Sequence, residues 1–307
     1  MSARRSHFPL VPRYRVAGLP FGGSASLRRG HGSDIAGSRP YVRGDPVSTI
    51  DWRASARLST ARGRAQFVVR ERYAEEAPRV VVFCDFSASM ALYPPPFPWL
   101  SKPAAVRSAT ELIVGSAEAA GAAVAYLDVA DGEPYWLPPG NRGTREQVQR
   151  RQAEIGRYTA PASGLTEGLA FLGRFRSQLS SGTFVFVVSD FLEVELPTSA
   201  WLTAAARRWE LVPVLVQDPT WERSFPDVGS IVLPLADPRD GRPLDVHVSR
   251  REARARRTAN EQRRTELIAW LTSLGLDAVV IESSDDGEID AAFLAWAARR
   301  RDLRHRR

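Results

Sequence analysis

The chain has 307 residues, 44% of them hydrophobic and 25% charged, which suits one large α/β domain with a smaller segment beside it. No apolar run reaches the roughly 20 residues of a membrane-spanning helix, and no apolar core follows the Arg-containing N-terminus, so a cytoplasmic protein without a signal peptide is expected. The single cysteine, Cys84, excludes an internal disulfide or a cysteine metal cluster, and His7, His31, His247 and His305 lack the spacing of a zinc site or a catalytic triad.

The formal charge is +7. It is carried by arginine, with Lys102 the only lysine, and it gathers in Arg250–Arg264 and the tail from Arg299 to Arg307. A basic tail of this kind reads first as a solvated end.

Residues 1–30 are rich in Gly, Pro, Ser and Arg without periodicity and read as a flexible N-terminal arm. Residues 31–78 read as one segment: 31–63 carry turn formers and few apolar anchors, and a strand follows at Gln66–Tyr73. From residue 79 to 303 strand and helix signals alternate. Val80–Cys84 is an apolar run suited to a strand buried on both faces. Apolar residues at helical spacing predict a helix over Lys102–Ala120. Strands follow at Ala123–Leu127 and Tyr135–Leu137, then a polar helix over 144–155 and an apolar one marked by Leu165, Leu169, Leu172, Phe175 and Leu179.

Thr183–Val188 is the most strand-like run, β-branched and aromatic. A short helix over 198–209 and the strand Leu211–Val216 come next. Ile231–Leu235 and Leu244–Val248 predict a β-hairpin, and Arg251–Leu274 a long helix with an apolar side only in its second half. A strand at Ala278–Ile281 and a helix over Ile289–Arg301 precede the basic end at 304–307. This alternation predicts an α/β fold with a doubly wound, mostly parallel sheet of Rossmann type, covered by helices on both faces. Ligands of such sheets bind beyond the carboxyl ends of the strands.

Three elements stand at such ends. Asp85, Ser87 and Ser89 follow the first buried strand at i, i+2 and i+4, a spacing that turns all three to one side of an extended segment. Asp190 follows Thr183–Val188. Thr166 lies at a helix start, where it either caps the helix or turns its hydroxyl to a cation. Two carboxylates and three hydroxyls form a hard-oxygen set suited to Mg²⁺, or to Mn²⁺, with a position left for an incoming carboxylate.

These residues resemble the metal-ion-dependent adhesion site of von Willebrand factor A domains. The likeness, carried by Asp85-x-Ser87-x-Ser89, Thr166 after Gly-Leu, and Asp190 after a hydrophobic strand, covers residues 79–218. It implies that these five residues hold the metal and that a partner's acidic side chain fills its open position. A second resemblance lies upstream. Arg39-Pro40-Tyr41-x-x-Gly44-Asp45 and Ile50-Asp51-Trp52-x-x-Ser55-Ala56-Arg57 are similar to the signature of the bacterial domain-of-unknown-function family 58, as is Gln217-Asp218-Pro219-x-x-Glu222 downstream. That likeness covers about residues 32–300 and implies a MoxR-type AAA+ ATPase as partner, in assembly or chaperoning.

The segment Tyr93–Trp99 follows the first motif directly. Its prolines and the apolar Phe97 and Trp99 read either as part of the partner-binding surface or as packing on the chain's own domain. Two other functions compete with binding. A strand-end Asp85 beside Mg²⁺ is compatible with phosphoryl transfer. Position 87, however, is serine where such sites usually carry a second aspartate, and Lys102 is the only lysine able to assist. The seven arginines of Arg250–Arg264 suit nucleic acid, but no aromatic platform accompanies them. The expectation is a protein-binding module that is not an enzyme.

Overall fold

A computed structural model describes residues 7–12, 29–41, 50–63, 65–73, 79–92, 100–140, 143–175, 178–179, 182–192, 199–207, 209–236 and 242–305. The chain divides into two compact units, Met1–Val11 with Arg79–Arg307, and Pro12–Pro78.

The smaller unit pairs β1 (Arg29–Pro40) antiparallel with β2 (Val68–Tyr73), and holds α1 (Trp52–Arg62) between them in sequence. Neither β1 nor α1 is foreshadowed by periodicity. β1 contains three glycines and no alternation of apolar residues, and α1 lacks a sustained apolar stripe. α1 forms because its ends are defined. Asp51 accepts from the Arg53 and Ala54 amides at the N-terminus, and Gly63 ends the helix at φ +62°, a conformation that favours glycine.

The larger unit is built on a six-stranded sheet. β3 (Arg79–Cys84), β4 (Ala123–Asp128), β5 (Tyr135–Gly140), β6 (Phe184–Ser189), β7 (Glu210–Val216) and β10 (Val279–Ile281) lie in the order β10-β7-β6-β3-β4-β5. All neighbours are parallel except β5, which runs antiparallel at one edge. The chain starts at the centre with β3, winds outward through β4 and β5, then returns to β6 on the other side of β3. Strand order therefore reverses between β3 and β6, and at such a reversal the crossovers leave to opposite sides and open a crevice.

Alternate side chains of the central strands serve two cores. Val81, Phe83, Leu127, Val185 and Val187 pack with Leu165, Leu169 and Leu172 of α4 (Gly164–Leu172), Trp201 of α5 (Ser199–Ala206), and Leu267 and Leu271 of α6 (Arg250–Ser273). On the other face Phe186 meets Phe293 and Trp296 of α7 (Asp286–His305) at ring distances of 6.3 and 5.8 Å. There too Cys84 Sγ lies 3.3 Å from Thr110 Oγ1 of α2 (Lys102–Ala119). Burial pushes the Cys84 thiol up to about 12, so it behaves as a small core group and not as a nucleophile. The hairpin β8 (Ile231–Ala236) and β9 (Pro243–Val248) covers Trp221, Phe225 and Ala253, which explains the buried alanine in the otherwise polar first half of α6.

Three expectations are corrected. Residues 7–12 are not part of a loose arm: Phe8 is buried, stacks on Phe293 at 4.7 Å and donates its amide to Ser116 Oγ, while Arg300 binds the Val11 carbonyl. Aromatic burial against α7 outweighs the poor local propensity of this stretch. The helix marked by Leu165–Leu179 ends at Leu172, where Gly173 closes on Arg207, which donates to its carbonyl at 3.0 Å. The segment 31–63 holds a strand and a helix, not turns alone.

Candidate functional site

The crevice at the strand reversal is formed by the residues just past β3 and β6. The amide of Asp85 donates to Val188 O at 2.9 Å, extending sheet pairing one residue beyond β3 and bringing the two strand ends side by side. Ser87 donates its amide to Asp85 Oδ1 at 2.8 Å and its hydroxyl to Oδ2 at 3.0 Å. This turn leads into a 3₁₀ helix over Ala88–Ala91, so Ser89 is not in extended chain. Its hydroxyl nevertheless faces that of Ser87 at 3.1 Å. The turn produces the same-side arrangement that the spacing predicts for a strand.

Ser189, the last residue of β6, donates its hydroxyl to Asp85 Oδ2 at 2.6 Å and receives the Phe191 amide at 2.9 Å. Asp190 comes next. Its Oδ1 accepts from the Leu192 amide at 2.9 Å, its Oδ2 from Lys102 Nζ at 2.7 Å, and its carbonyl from Gln217 Nε2 at 2.7 Å. Phe191 holds φ +56°, an unfavourable conformation for a bulky residue. Its ring is buried 5.7 Å from Trp201, and that packing maintains the bend that aims Asp190. Backbone strain kept by surrounding packing is common at functional loops.

Thr166 is the third residue of α4. The N-cap position is Ser163, so Thr166 is not the cap. The start of α4 is drawn to the same strand ends because Ala160 bridges Ser87, donating its amide to Phe86 O at 3.1 Å. Gly168 allows the close approach of α4 to β3: a Cβ there would fall 2.1 Å from Phe83 Cζ.

The electrostatics are unusual for a strand end. Asp85 is 7% exposed, and its partners are hydroxyls and an amide; among the described residues no cation contacts it. Burial raises its pKa to about 6, with the neighbouring charge of Asp190 adding to the rise and the Ser189 and Ser87 donors opposing it. Lys102 Nζ also contacts Glu222 Oε1 closely. Burial alone would lower the Lys102 pKa, but Asp190 and Glu222 reverse this and hold the ammonium above its usual range. Burial pushes Glu222 up to about 7, with Lys102 drawing it back and Asp190 adding to the rise.

Spacing alone does not find Ser189, Lys102 or Glu222. Ser189 is visible only as the hydroxyl before Asp190, and Lys102 only as the single lysine. Among the described residues no group of three His, Cys, Asp or Glu side chains is placed to hold a metal; the donor set here is carboxylate and hydroxyl. The arginines of α6 are partly engaged in the fold: Arg257 donates to Phe225 O, Arg263 to Asn260, and Arg264 to Gln217 and Glu282.

Residues 37–266 match the family described as "Protein of unknown function DUF58". The chain belongs to the DUF58 family. It is 24% identical over 301 residues to "Uncharacterized protein Mb1516" of Mycobacterium bovis, covering 95% of this chain and 87% of that protein. The same figures hold for "Uncharacterized protein Rv1480" of Mycobacterium tuberculosis. Among solved structures, BatB from Bacteroides thetaiotaomicron is similar with a TM-score of 0.42 at 15% identity, covering 72% of this chain and all of that one. An aerotolerance-related membrane protein from Bacteroides fragilis gives 0.43 at 14%, covering 73% of this chain and 100% of that one.

The upstream DUF58 signature residues that are described lie in the smaller unit, and the downstream Gln217, Asp218 and Glu222 in the larger one. Asp51 caps α1, and Ser55, buried in α1, donates to Asp51 O at 2.7 Å and accepts the Val68 amide at 2.9 Å, joining α1 to β2. Arg57 Nε donates to Arg53 O at 3.4 Å. Tyr41 donates its amide to Phe67 O, and its ring and that of Trp52 meet Phe67 edge-on at 6.3 and 6.0 Å; Trp52 stays 59% exposed. Arg39 pairs in register with Val69. Gly44, Asp45, Phe97 and Trp99 lie outside the described residues. In this DUF58 chain no helix among the described residues is long and apolar enough to cross a membrane.

Proposed function

We propose that the chain is a non-enzymatic, Mg²⁺-dependent protein-interaction module with a von Willebrand factor A-like domain. One observation carries this reading: Asp85 is a buried carboxylate that no cation contacts among the described residues, set beside a second carboxylate at the reversal of the sheet. A charge so placed needs compensation. Asp85, Ser87, Ser89, Thr166 and Asp190 would hold the ion, and their oxygens suit Mg²⁺ or Mn²⁺. A bound ion would supply an electron-poor position that a partner's carboxylate fills. The chain's own residues prepare that position: Ser189 orients Asp85, and the Phe191 bend and Lys102 aim Asp190.

A MoxR-type AAA+ ATPase is the partner to test first. Phosphoryl transfer is disfavoured because Lys102, the one lysine able to assist, is 3% exposed and engaged by two carboxylates, so it cannot meet a phosphate. The decisive experiment measures binding of the purified chain to that ATPase in Mg²⁺ and in EDTA, for the native protein and Asp85→Ala. Binding lost in EDTA and in the variant supports the reading. Equal binding in all four conditions refutes it.

A further inference from the structure

A chain with 42 lysine and arginine residues contains one lysine, and that lysine is buried at 3% exposure at the first position of α2. Its ammonium reaches Asp190 Oδ2 at 2.7 Å and Glu222 Oε1 in a closer contact. The other oxygen of Glu222 accepts the Asp218 amide at 2.9 Å. Asp218 in turn receives the Leu100 amide, and its remaining oxygen the Thr220 and Trp221 amides. The turn 218–222 is thus tied to the start of α2, and Glu222 is held against Lys102 from a separate part of the chain. Asp190 Oδ1 is occupied by the Leu192 amide, so both of its oxygens are positioned before any ion arrives.

The geometry suits an ammonium. A compact point charge fits between two buried carboxylates, whereas the broad planar fork of arginine demands a larger, bidentate setting. In charge, Asp85, Asp190 and Glu222 sum to three negatives against one positive. Glu222 touches the lysine, and the lysine touches Asp190, so Glu222 acts on the strand-end site through the lysine's charge.

We propose that Lys102 and Glu222 are positioning residues that set the charge, and hence the divalent-cation affinity, of the Asp85–Asp190 site. The proposal rests on the metal reading above and assigns to two residues outside its ligand set the control of its strength. Glu222 offsets the lysine; without Glu222 the whole ammonium charge opposes a cation at Asp190. Without Lys102 the site carries one more negative charge. Even with screening as strong as in water, a dielectric constant of about 80, one unit charge roughly 6 Å from a divalent ion changes its affinity by about tenfold, and burial adds to this.

The test is calorimetric titration of the full chain with MnCl₂ at pH 8, after removal of bound metal, for the native protein, Glu222→Gln, Lys102→Met and Lys102→Met/Glu222→Gln. Glu222→Gln keeps the lysine–Asp190 pair and should bind Mn²⁺ about tenfold more weakly. The double variant restores the native charge sum and should return to within about threefold of native. Lys102→Met should bind more tightly, and its melting temperature should rise with Mn²⁺ more than that of the native chain. If Lys102→Met does not fold, the other two variants decide. A native chain that binds Mn²⁺ while Glu222→Gln and the double variant match it within threefold overturns this inference alone. A native chain that binds no Mn²⁺ overturns the metal reading and this inference with it.

Discussion

Replacing Asp85 by Asn should make the metal-free protein more stable. Asp85 moves from an ordinary value of 3.8 to about 6 on folding, so the folded state disfavours the carboxylate by about 3 kcal/mol, at 1.36 kcal/mol per unit. Asn is nearly isosteric and removes that charge, while the Ser87 amide and the Ser87 and Ser189 hydroxyls still have a carbonyl or an amide to face. Some rearrangement of the hydroxyls will reduce the gain, leaving about 1–3 kcal/mol at pH 8.

The sign follows from the raised folded value. Below pH 3.8 both states are protonated and Asp85 adds its full stability; as pH rises through about 6 the folded state must ionise a carboxyl it holds neutral, and that stability is lost. The advantage of Asp85→Asn is therefore largest above pH 6 and fades toward pH 4. Urea denaturation in EDTA at pH 8, 6 and 4 measures it, and Mg²⁺ should then stabilise the native chain but not the variant. A variant less stable than native in EDTA at pH 8 would refute the reasoning, because Asp85 would then be a structural anchor and not a charge awaiting a cation.

Gly168→Ala should destabilise the larger unit by about 1–3 kcal/mol, because the added Cβ meets a Phe83 ring that is 1% exposed and cannot yield; native stability in urea would show that α4 and β3 are not in such close contact. Phe8→Ala should cost about 3–5 kcal/mol through loss of the stack on Phe293, read as a lower thermal midpoint; an unchanged midpoint would mean that the N-terminal residues do not belong to the core. Ser55→Ala leaves the Val68 amide without its acceptor, a loss of about 1–3 kcal/mol. Hydrogen exchange should rise in residues 50–73 and stay unchanged in the sheet of the larger unit.

Much of the fold was legible because its signals are local. Val80–Cys84 and Thr183–Val188 read as buried strands, and the alternation of strand and helix implied a mostly parallel sheet. The antiparallel β5 at the edge and the small unit were less visible. β1 has glycines where a strand would show apolar alternation, and α1 depends on the Asp51 cap and the Ser55 link, not on an apolar stripe. Residues 7–12 were misjudged for a related reason. They stand inside a stretch, 1–30, whose composition is that of a loose arm, and only the distant rings of Phe186, Phe293 and Trp296 make Phe8 a core residue.

The candidate site divides along the same line. Asp85, Ser87 and Ser89 lie within five residues, so their nearness was legible, but the turn into a 3₁₀ helix, not the extended chain the spacing assumes, sets their hydroxyls together; a hydrophobic strand put Asp190 at a strand end. That β6 lies beside β3, so that Ser189 reaches Asp85 across 104 positions, is a property of strand order. Lys102 meets Asp190 across 88 positions and Glu222 across 120. Local periodicity records which residues share a face of one element. Only the closing of the chain on itself decides which charges must neutralise one another, and among the described residues it brings hydroxyls and an amide, but no cation, to Asp85.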